Sequence, residues 1–270
     1  MSKTARTTTV ELPENPADAE AFASSLAEQL RMAGQVQRDF LPSQLPDSDR
    51  LRWSATFLPA ECVSGDIYDV VRLDEQHIGF YVADVVGHGI PAALLTMFLK
   101  QALIMRQTTG SSYQIFSPAE VISNLNLRMT AQKLSGNQFA TCCYCLLNIE
   151  TLELTYARGG HPYLILIRPH KEPQRLEAQG SLLGIFENAK YTQQTIQLYC
   201  GDKLLLYSDG AESIIGSFDD AGSFNFTEDF RQLTHLPIVE MTEKFNSLVQ
   251  NQGFKPSEVD DITMVGLEVL

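Results

Sequence analysis

Two aspartates stand at the ends of apolar runs that read as interior strands. Cys62-Val-Ser-Gly-Asp-Ile-Tyr-Asp69 puts Asp66 ahead of Ile67, Val70 and Val71, and Ile78-Gly-Phe-Tyr-Val-Ala-Asp84 puts Asp84 at the tail of the next run. A carboxylate beside a buried strand is costly unless it is paired, hydrogen-bonded or bound to metal. Asp84 runs directly into Val-Val-Gly-His-Gly89, a glycine-rich turn, and then into Ile90-Pro-Ala-Ala-Leu-Leu95, the start of a helix. A chain of this kind must fold as strand, turn and helix with one charge at the junction and a second beside it.

The pattern recurs further on. Asp209 closes Lys203-Leu-Leu-Leu-Tyr-Ser208 and precedes a glycine, and Asp260-Asp261 opens Ile262-Thr-Met-Val-Gly-Leu267. Carboxylates that converge cannot all ionise without cations between them. Oxygen-only donors of this kind suit hard divalent ions such as Mg²⁺ or Mn²⁺. A structural calcium loop would set alternate ligands within about a dozen residues, and that spacing is absent. Asp219 or Asp220 is a candidate further ligand, although acids in such a loop are ordinarily solvated.

Composition narrows the partners. With 33 acidic and 20 basic residues the net charge is −13, which disfavours nucleic acid and anionic membrane. No apolar run approaches the roughly 20 residues that a bilayer span needs, so membrane insertion is not expected. Met1–Thr9 has no apolar core of a secretory signal, and a cytoplasmic location is expected. Of the five cysteines, Cys142, Cys143 and Cys145 lie within an apolar strand-like run, while Cys62 and Cys200 stand alone. This is neither a zinc knuckle nor a disulfide framework, so the thiols read as small core residues.

Residues 1–14 are poor in large apolar side chains and are expected to be disordered. Asn15-Pro16 opens a helix with a capping residue and Pro at its first position. Phe22, Leu26, Leu30, Ala33, Val36 and Phe40 draw one apolar stripe along it to Leu41-Pro42. That stripe either lies on its own core or makes residues 15–41 a linker joining the domain to a sensor or a second copy. Strands are predicted at 51–58, 66–73, 77–84, 139–149, 153–158, 162–167, 191–198, 203–207 and 262–269, and helices at 91–107, 117–134, 227–233 and 237–251. Hairpin strands with two helices inserted predict two packed antiparallel sheets covered by helices, an α+β fold.

The motifs resemble those of a known family. Ser64-Gly-Asp-Ile-Tyr-Asp69 is similar to the Gly-Gly-Asp-x-Tyr-Asp motif of bacterial RsbU/SpoIIE-type phosphatases. Asp84-Val-Val-Gly-His-Gly89 with Ala92-Ala93, Gly159-Gly-His-Pro162, Leu205-Leu-Tyr-Ser-Asp-Gly210 and Asp260-Asp-Ile-Thr263 resemble its other four, in family order. These proteins belong to the PPM superfamily of metal-dependent serine/threonine phosphatases, related to protein phosphatase type 2C. The resemblance implies a PPM-type β-sandwich of two antiparallel sheets flanked by helices (α-β-β-α layers), with residues 42–270 as the phosphatase domain. It implies two Mn²⁺ or Mg²⁺ ions at one end of the sandwich.

Carried over by position, Asp84 bridges both ions, with the Val85 carbonyl as a further ligand. Asp209 and Asp260 hold one ion, Asp66 contacts the other directly or through water, and Asp261 is the lesser member of its pair. The implied mechanism is in-line attack on phosphorus by hydroxide formed between the ions, with Asp84 and Asp66 at the catalytic centre. His88 is the candidate acid for the leaving oxygen, although it is offset by two positions from the family's histidine and a helix-entry role competes. His161 reads as structural. Ser64 departs from the family glycine, which matters only if that residue needs positive φ. The implied substrate is a phosphorylated STAS-type (anti-anti-sigma) protein in a partner-switching pathway, and the helix over 15–41 is the regulatory or dimerising element. A catalytically silent domain that binds a signalling partner is the alternative, and a small-molecule phosphatase a further one.

Overall fold

Alternation of side chains builds two sheets with an apolar face each. The computed structural model describes residues 15–134, 136, 138–251 and 260–270, so the expected disorder of residues 1–14 lies outside the described residues. Helix α1 (Pro16–Asp39) is capped by the Asn15 side chain, which accepts from Ala17 N–H at 3.1 Å. It leads to strands β1 (Leu51–Leu58), β2 (Asp66–Arg72) and β3 (His77–Val85), then helix α2 (Gly89–Ala102). A small hairpin, β4 (Arg106–Thr109) and β5 (Ser112–Ile115), precedes α3 (Pro118–Ala131), which starts on a Ser117–Glu120 capping box. Strands β6 (Ala140–Asn148), β7 (Glu153–Gly159), β8 (Leu164–Ile167), β9 (Gln174–Leu176), β10 (Gln193–Gln197) and β11 (Lys203–Tyr207) follow. A 3₁₀ turn (Asp209–Ala211) leads into α4 (Glu212–Ile215), the hairpin β12 (Gly216–Phe218) and β13 (Phe224–Phe226), helices α5 (Glu228–Leu233) and α6 (Ile238–Asn251), and finally β14 (Ile262–Val269).

One sheet runs β1-β14-β11-β8-β9 and the other β10-β7-β6-β3-β2, both antiparallel. Their facing sides interdigitate through Trp53, Tyr68, Val70, Phe80, Val82, Cys143, Leu204, Leu206 and Val265. The outer face of the β3 sheet packs under α2 and α3 through Ile67, Tyr81, Leu99 and Leu125, and that of the β11 sheet under α4, α5 and α6 through Leu205, Tyr207, Phe230 and Phe245. Helix, sheet, sheet, helix is the expected α+β sandwich. Among the described residues no helix is long and apolar enough to cross a membrane.

One local expectation needs correction, and two open readings are settled in detail. The helix predicted over 91–107 ends at Ala102, because Leu103 turns to an extended ψ of 94° and Arg106 begins β4. Gly110-Ser111, with Gly110 at φ 62°, makes the hairpin turn, and Arg106 reaches back to the Leu73 carbonyl. Between residues 211 and 236 lie, besides the predicted helix at α5, the short α4 and the β12–β13 hairpin. The apolar stripe on α1 does not lie on the core: Phe22, Leu26, Val36 and Phe40 are exposed. The residues of α1 that are buried are Gly34 and Gln37. A Cβ at Gly34 would come within 1.8 Å of the Cys62 carbonyl oxygen, so only glycine lets the helix lie against that loop. Gln37 fixes the contact: its Nε2 donates to the Ser64 carbonyl at 2.7 Å and to Thr96 Oγ1 at 3.0 Å, and its Oε1 accepts from Ser64 N–H at 2.8 Å.

Candidate metal centre

The carboxylates lie where the inner faces of the two sheets run out. On β2 and β3 the residues that enter the inter-sheet core are Tyr68 and Val70, and Phe80 and Val82. One step of two further along each strand, on the same face, come Asp66 and Asp84, which are direct cross-strand partners. On the facing sheet the same step from Leu206 reaches Ser208, and from Val265 it reaches Thr263 and then Asp261. The hydrophobic interior thus ends in a polar floor made by continuing the strand pattern.

Depth sorts the acids. Asp66 is 1% exposed and Asp261 is buried, Asp84 is half-buried, and Asp209 and Asp260 are exposed at the rim. Ser208 Oγ donates to the Asp66 carboxylate at 2.6 Å and itself accepts from Thr263 N–H at 2.9 Å, which joins the two sheets at the floor. Asp66 N–H donates to Ser64 Oγ at 3.0 Å, and Ser64 has no positive φ, so the departure from glycine there is harmless. Gly65 is the position that needs glycine: a Cβ would sit 3.0 Å from the Gly87 carbonyl oxygen and 3.1 Å from that of Val85.

The electrostatics of the cluster are those of like charges forced together. Burial pushes the Asp84 carboxyl up to about 8, with Asp209, Asp260 and Asp261 adding to it. Burial and then Asp84 hold Asp66 well above the usual carboxylate range, against the opposing hydrogen bond from Ser208. Asp209 is raised by burial and by Asp260. Among the described residues no Lys, Arg or His lies within ion-pair distance of any of these acids. Nor do three His, Cys, Asp or Glu side chains close tightly around one point. The donors are all oxygen, mutually repelling and without a protein counter-charge, and that set fits hard divalent cations.

Other predicted residues are placed differently. Asp261 has both oxygens engaged, accepting from Ala60 N–H at 2.8 Å and Gly65 N–H at 2.6 Å, so it cinches the loop that delivers Asp66. Asp261→Ala leaves the buried Gly65 amide and the part-buried Ala60 amide without their acceptor and should cost about 2 kcal/mol of stability by urea unfolding, whereas Asp260→Ala should cost little. His88 occupies the N-cap position of α2 without a side-chain capping bond, its side chain 78% exposed and its Nδ1 3.3 Å from Glu61. His161 is buried, with Nδ1 2.7 Å from Thr141 Oγ1 beside Asp84, and burial lowers its basicity to about 3, so it is a neutral brace. Asp219 accepts from Ala221, Ser223 and Asn225 within the β12–β13 turn and does not reach the cluster. Glu212, one turn past Asp209 and in its field, carries no signal in the sequence, because it ends no apolar strand.

A helix-flanked double sheet with acids gathered at one open end is the architecture of the metal-dependent protein phosphatases of type 2C. The sequence pattern described as Stage II sporulation protein E (SpoIIE) matches residues 74–270, and the chain belongs to that family, in the branch that includes RsbU. Phosphoserine phosphatase RsbU of Bacillus subtilis is 34% identical over 245 residues, 88% of this chain and 69% of RsbU. Phosphoserine phosphatase RsbP of the same organism is 25% identical over 92% of this chain, which spans 59% of RsbP. Among solved structures, the SiaA protein phosphatase 2C domain of Pseudomonas aeruginosa superposes with a TM-score of 0.70 at 22% identity, covering 93% of this chain and 98% of that one. RsbX in complex with magnesium superposes at 0.60 and 18% identity, covering 84% of this chain and 99% of that one. The chain is a serine/threonine phosphatase of the type 2C class.

Proposed function

We propose that this chain removes phosphate from phosphoserine or phosphothreonine on a small STAS-type regulator in a cytoplasmic partner-switching pathway, using two Mn²⁺ or Mg²⁺ ions. The observation that carries the reading is the convergence of Asp66, Asp84, Asp209 and Asp260 without a protein cation. The names of RsbU and RsbP support the phosphoserine specificity, and the magnesium in RsbX supports the metal.

Asp84 would be the central ligand, joined by the Val85 carbonyl and by Asp209 and Asp260 from the rim. Asp66 holds the floor, oriented by Ser208, and Asp261 braces the loop rather than binding the ion. Bound ions would supply Lewis acidity and a water acidic enough to attack phosphorus near neutral pH. Among the described residues no side chain at the site is free to act as a nucleophile. Ser208 is buried with its hydroxyl given to Asp66, and burial pushes the Cys142 and Cys145 thiols far up, which keeps them protonated.

A general acid within reach of the reacting groups contributes about 10²- to 10⁴-fold. Exposed and paired with Glu61, His88 is not held for that task. His88→Ala should keep kcat within about tenfold of the parent, and a larger loss in a steady-state assay would return His88 to the catalytic group. The open stripe on α1 supports a contact with a second copy or an upstream sensor. Phosphate release from a phosphorylated STAS protein, with Mn²⁺, Mg²⁺ or chelator, tests the function. Full activity in chelator would rule out the metal mechanism. Release from small phosphoesters alone would favour the small-molecule alternative.

A further inference from the structure

Arg175 is an arginine that, among the described residues, forms no ion pair. It lies on the edge strand β9 opposite Ile165, on the outer face of its sheet. Its guanidinium sits 4.5 Å from the Tyr163 ring centroid, 4.8 Å from Phe218 and 4.1 Å from Phe224. Phe224 in turn stacks edge-on with Phe226, 5.3 Å away, and Phe226 lies flat on the core residue Phe230, so the cage is anchored. Aromatic faces cover the plane of a guanidinium but satisfy none of its in-plane N–H donors. Among the described residues Arg175 makes no ion pair and its Nε has no acceptor. Arg158 lies over the other side of Tyr163 and, by contrast, spends its donors on the Ala178 and His161 carbonyls.

The cage stands at the same end of the sandwich as the carboxylates. Leu205 on β11 pairs with Ile165, so Tyr163 lies level with Tyr207, two residues before Asp209. The charge of Arg175 bears on Tyr207 and on Glu212, and Glu212 also feels Asp209. Phe218 beside it is 57% exposed, so the rim here presents a cation next to open apolar surface. In a chain of net charge −13, with acids gathered at this end, a rigid unpaired guanidinium is suited to an incoming anion.

The geometry points to Arg175 as an anion-binding specificity residue beside the metal centre, which grips an oxyanion of the phosphoprotein substrate. It rests on the phosphatase reading and deepens it. The oxyanion comes from the phosphoryl group or from an acidic side chain flanking the phosphoserine. Phe218 and Phe224 hold the guanidinium rigid so that its free N–H edge faces the substrate.

The test compares the full chain with Arg175→Met, which keeps an apolar stem in the cage, and Arg175→Lys, which keeps charge but not the planar donors. KM and kcat are measured with Mn²⁺ on a phosphorylated STAS-domain protein and on p-nitrophenyl phosphate, with thermal unfolding in parallel. Arg175→Met should raise KM for the phosphoprotein about tenfold to a hundredfold, with a smaller change in kcat and with partial recovery in Arg175→Lys. A rise for both substrates assigns the phosphoryl group, and a rise for the phosphoprotein alone assigns a flanking carboxylate. An active parent with KM unchanged in both variants, whatever happens to the melting temperature, overturns the proposal and leaves only a structural cage. A parent inactive on both substrates overturns the phosphatase reading and this one with it.

Discussion

Asp84→Asn should reduce Mn²⁺-dependent phosphate release by about a thousandfold or more, with the fold intact. The side chain is nearly isosteric and the new amide oxygen can still accept from the Val85 N–H that faces the Asp84 carboxylate, so the change removes charge rather than packing. Asp84 sits at the hub: it faces Asp66 across the β2–β3 pair, and Asp209, Asp260 and Asp261 all act on it. Losing the carboxylate at the hub would weaken the proposed metal site as a whole, whereas Asp209→Asn or Asp260→Asn would remove a donor at the rim and should cost less. Initial rates at saturating Mn²⁺ separate these cases. A variant at position 84 with parental kcat would mean that the cluster is only structural.

The second large effect concerns the metal-free protein and runs opposite to ordinary acid sensitivity. The Asp84 carboxyl titrates near 8 in the folded chain and in the usual carboxylate range when unfolded, and Asp66 and Asp209 shift the same way. Between those limits the folded state binds more protons than the unfolded state, so stability falls as pH rises from about 4 to about 8. Chelator-treated protein should therefore melt higher at pH 5.5 than at pH 8. Asp84→Asn should melt above the parent at pH 8 by an amount that shrinks toward pH 5, on the order of a few kcal/mol at most. Mn²⁺ should restore the parent at pH 8 and do little for the variant. Equal melting curves at the two pH values would show that the acids do not repel one another as their placement requires.

Much of this arrangement could be read from the chain before any coordinates. Asp66 and Asp84 were visible because strand alternation is local, and a charge in phase with Tyr68, Val70, Phe80 and Val82 must emerge where the core ends. Asp209 and Asp260 are legible only as acids at strand ends, since they fall in phase with the outer-face residues Tyr207 and Ile262, and the inner-face alternation leads to Ser208 and Asp261 instead. Depth was not readable. The sequence does not say that Asp261, adjacent to Asp260, turns inward to hold Ala60 and Gly65. Nor does it show that the stripe on α1 stays open while Gly34 and Gln37 make the contact, because that depends on the loop at 62–64 meeting the helix. The β4–β5 hairpin was hidden because Met105 continues the helical apolar pattern into a strand. Arg175 gave no signal at all: its cage draws Tyr163, Phe218 and Phe224 from three separate segments.

The central claim is that the strand-end aspartates form one metal centre. Calorimetric titration of Mn²⁺ into chelator-stripped protein at pH 7.5, in two buffers of different ionisation heat, tests it most directly. Saturable binding of two ions should release protons from the raised carboxyls, and Asp84→Asn should lose both the tight binding and the proton release. Binding to the parent that is absent, or that Asp84→Asn leaves unchanged in affinity and proton release, would contradict it.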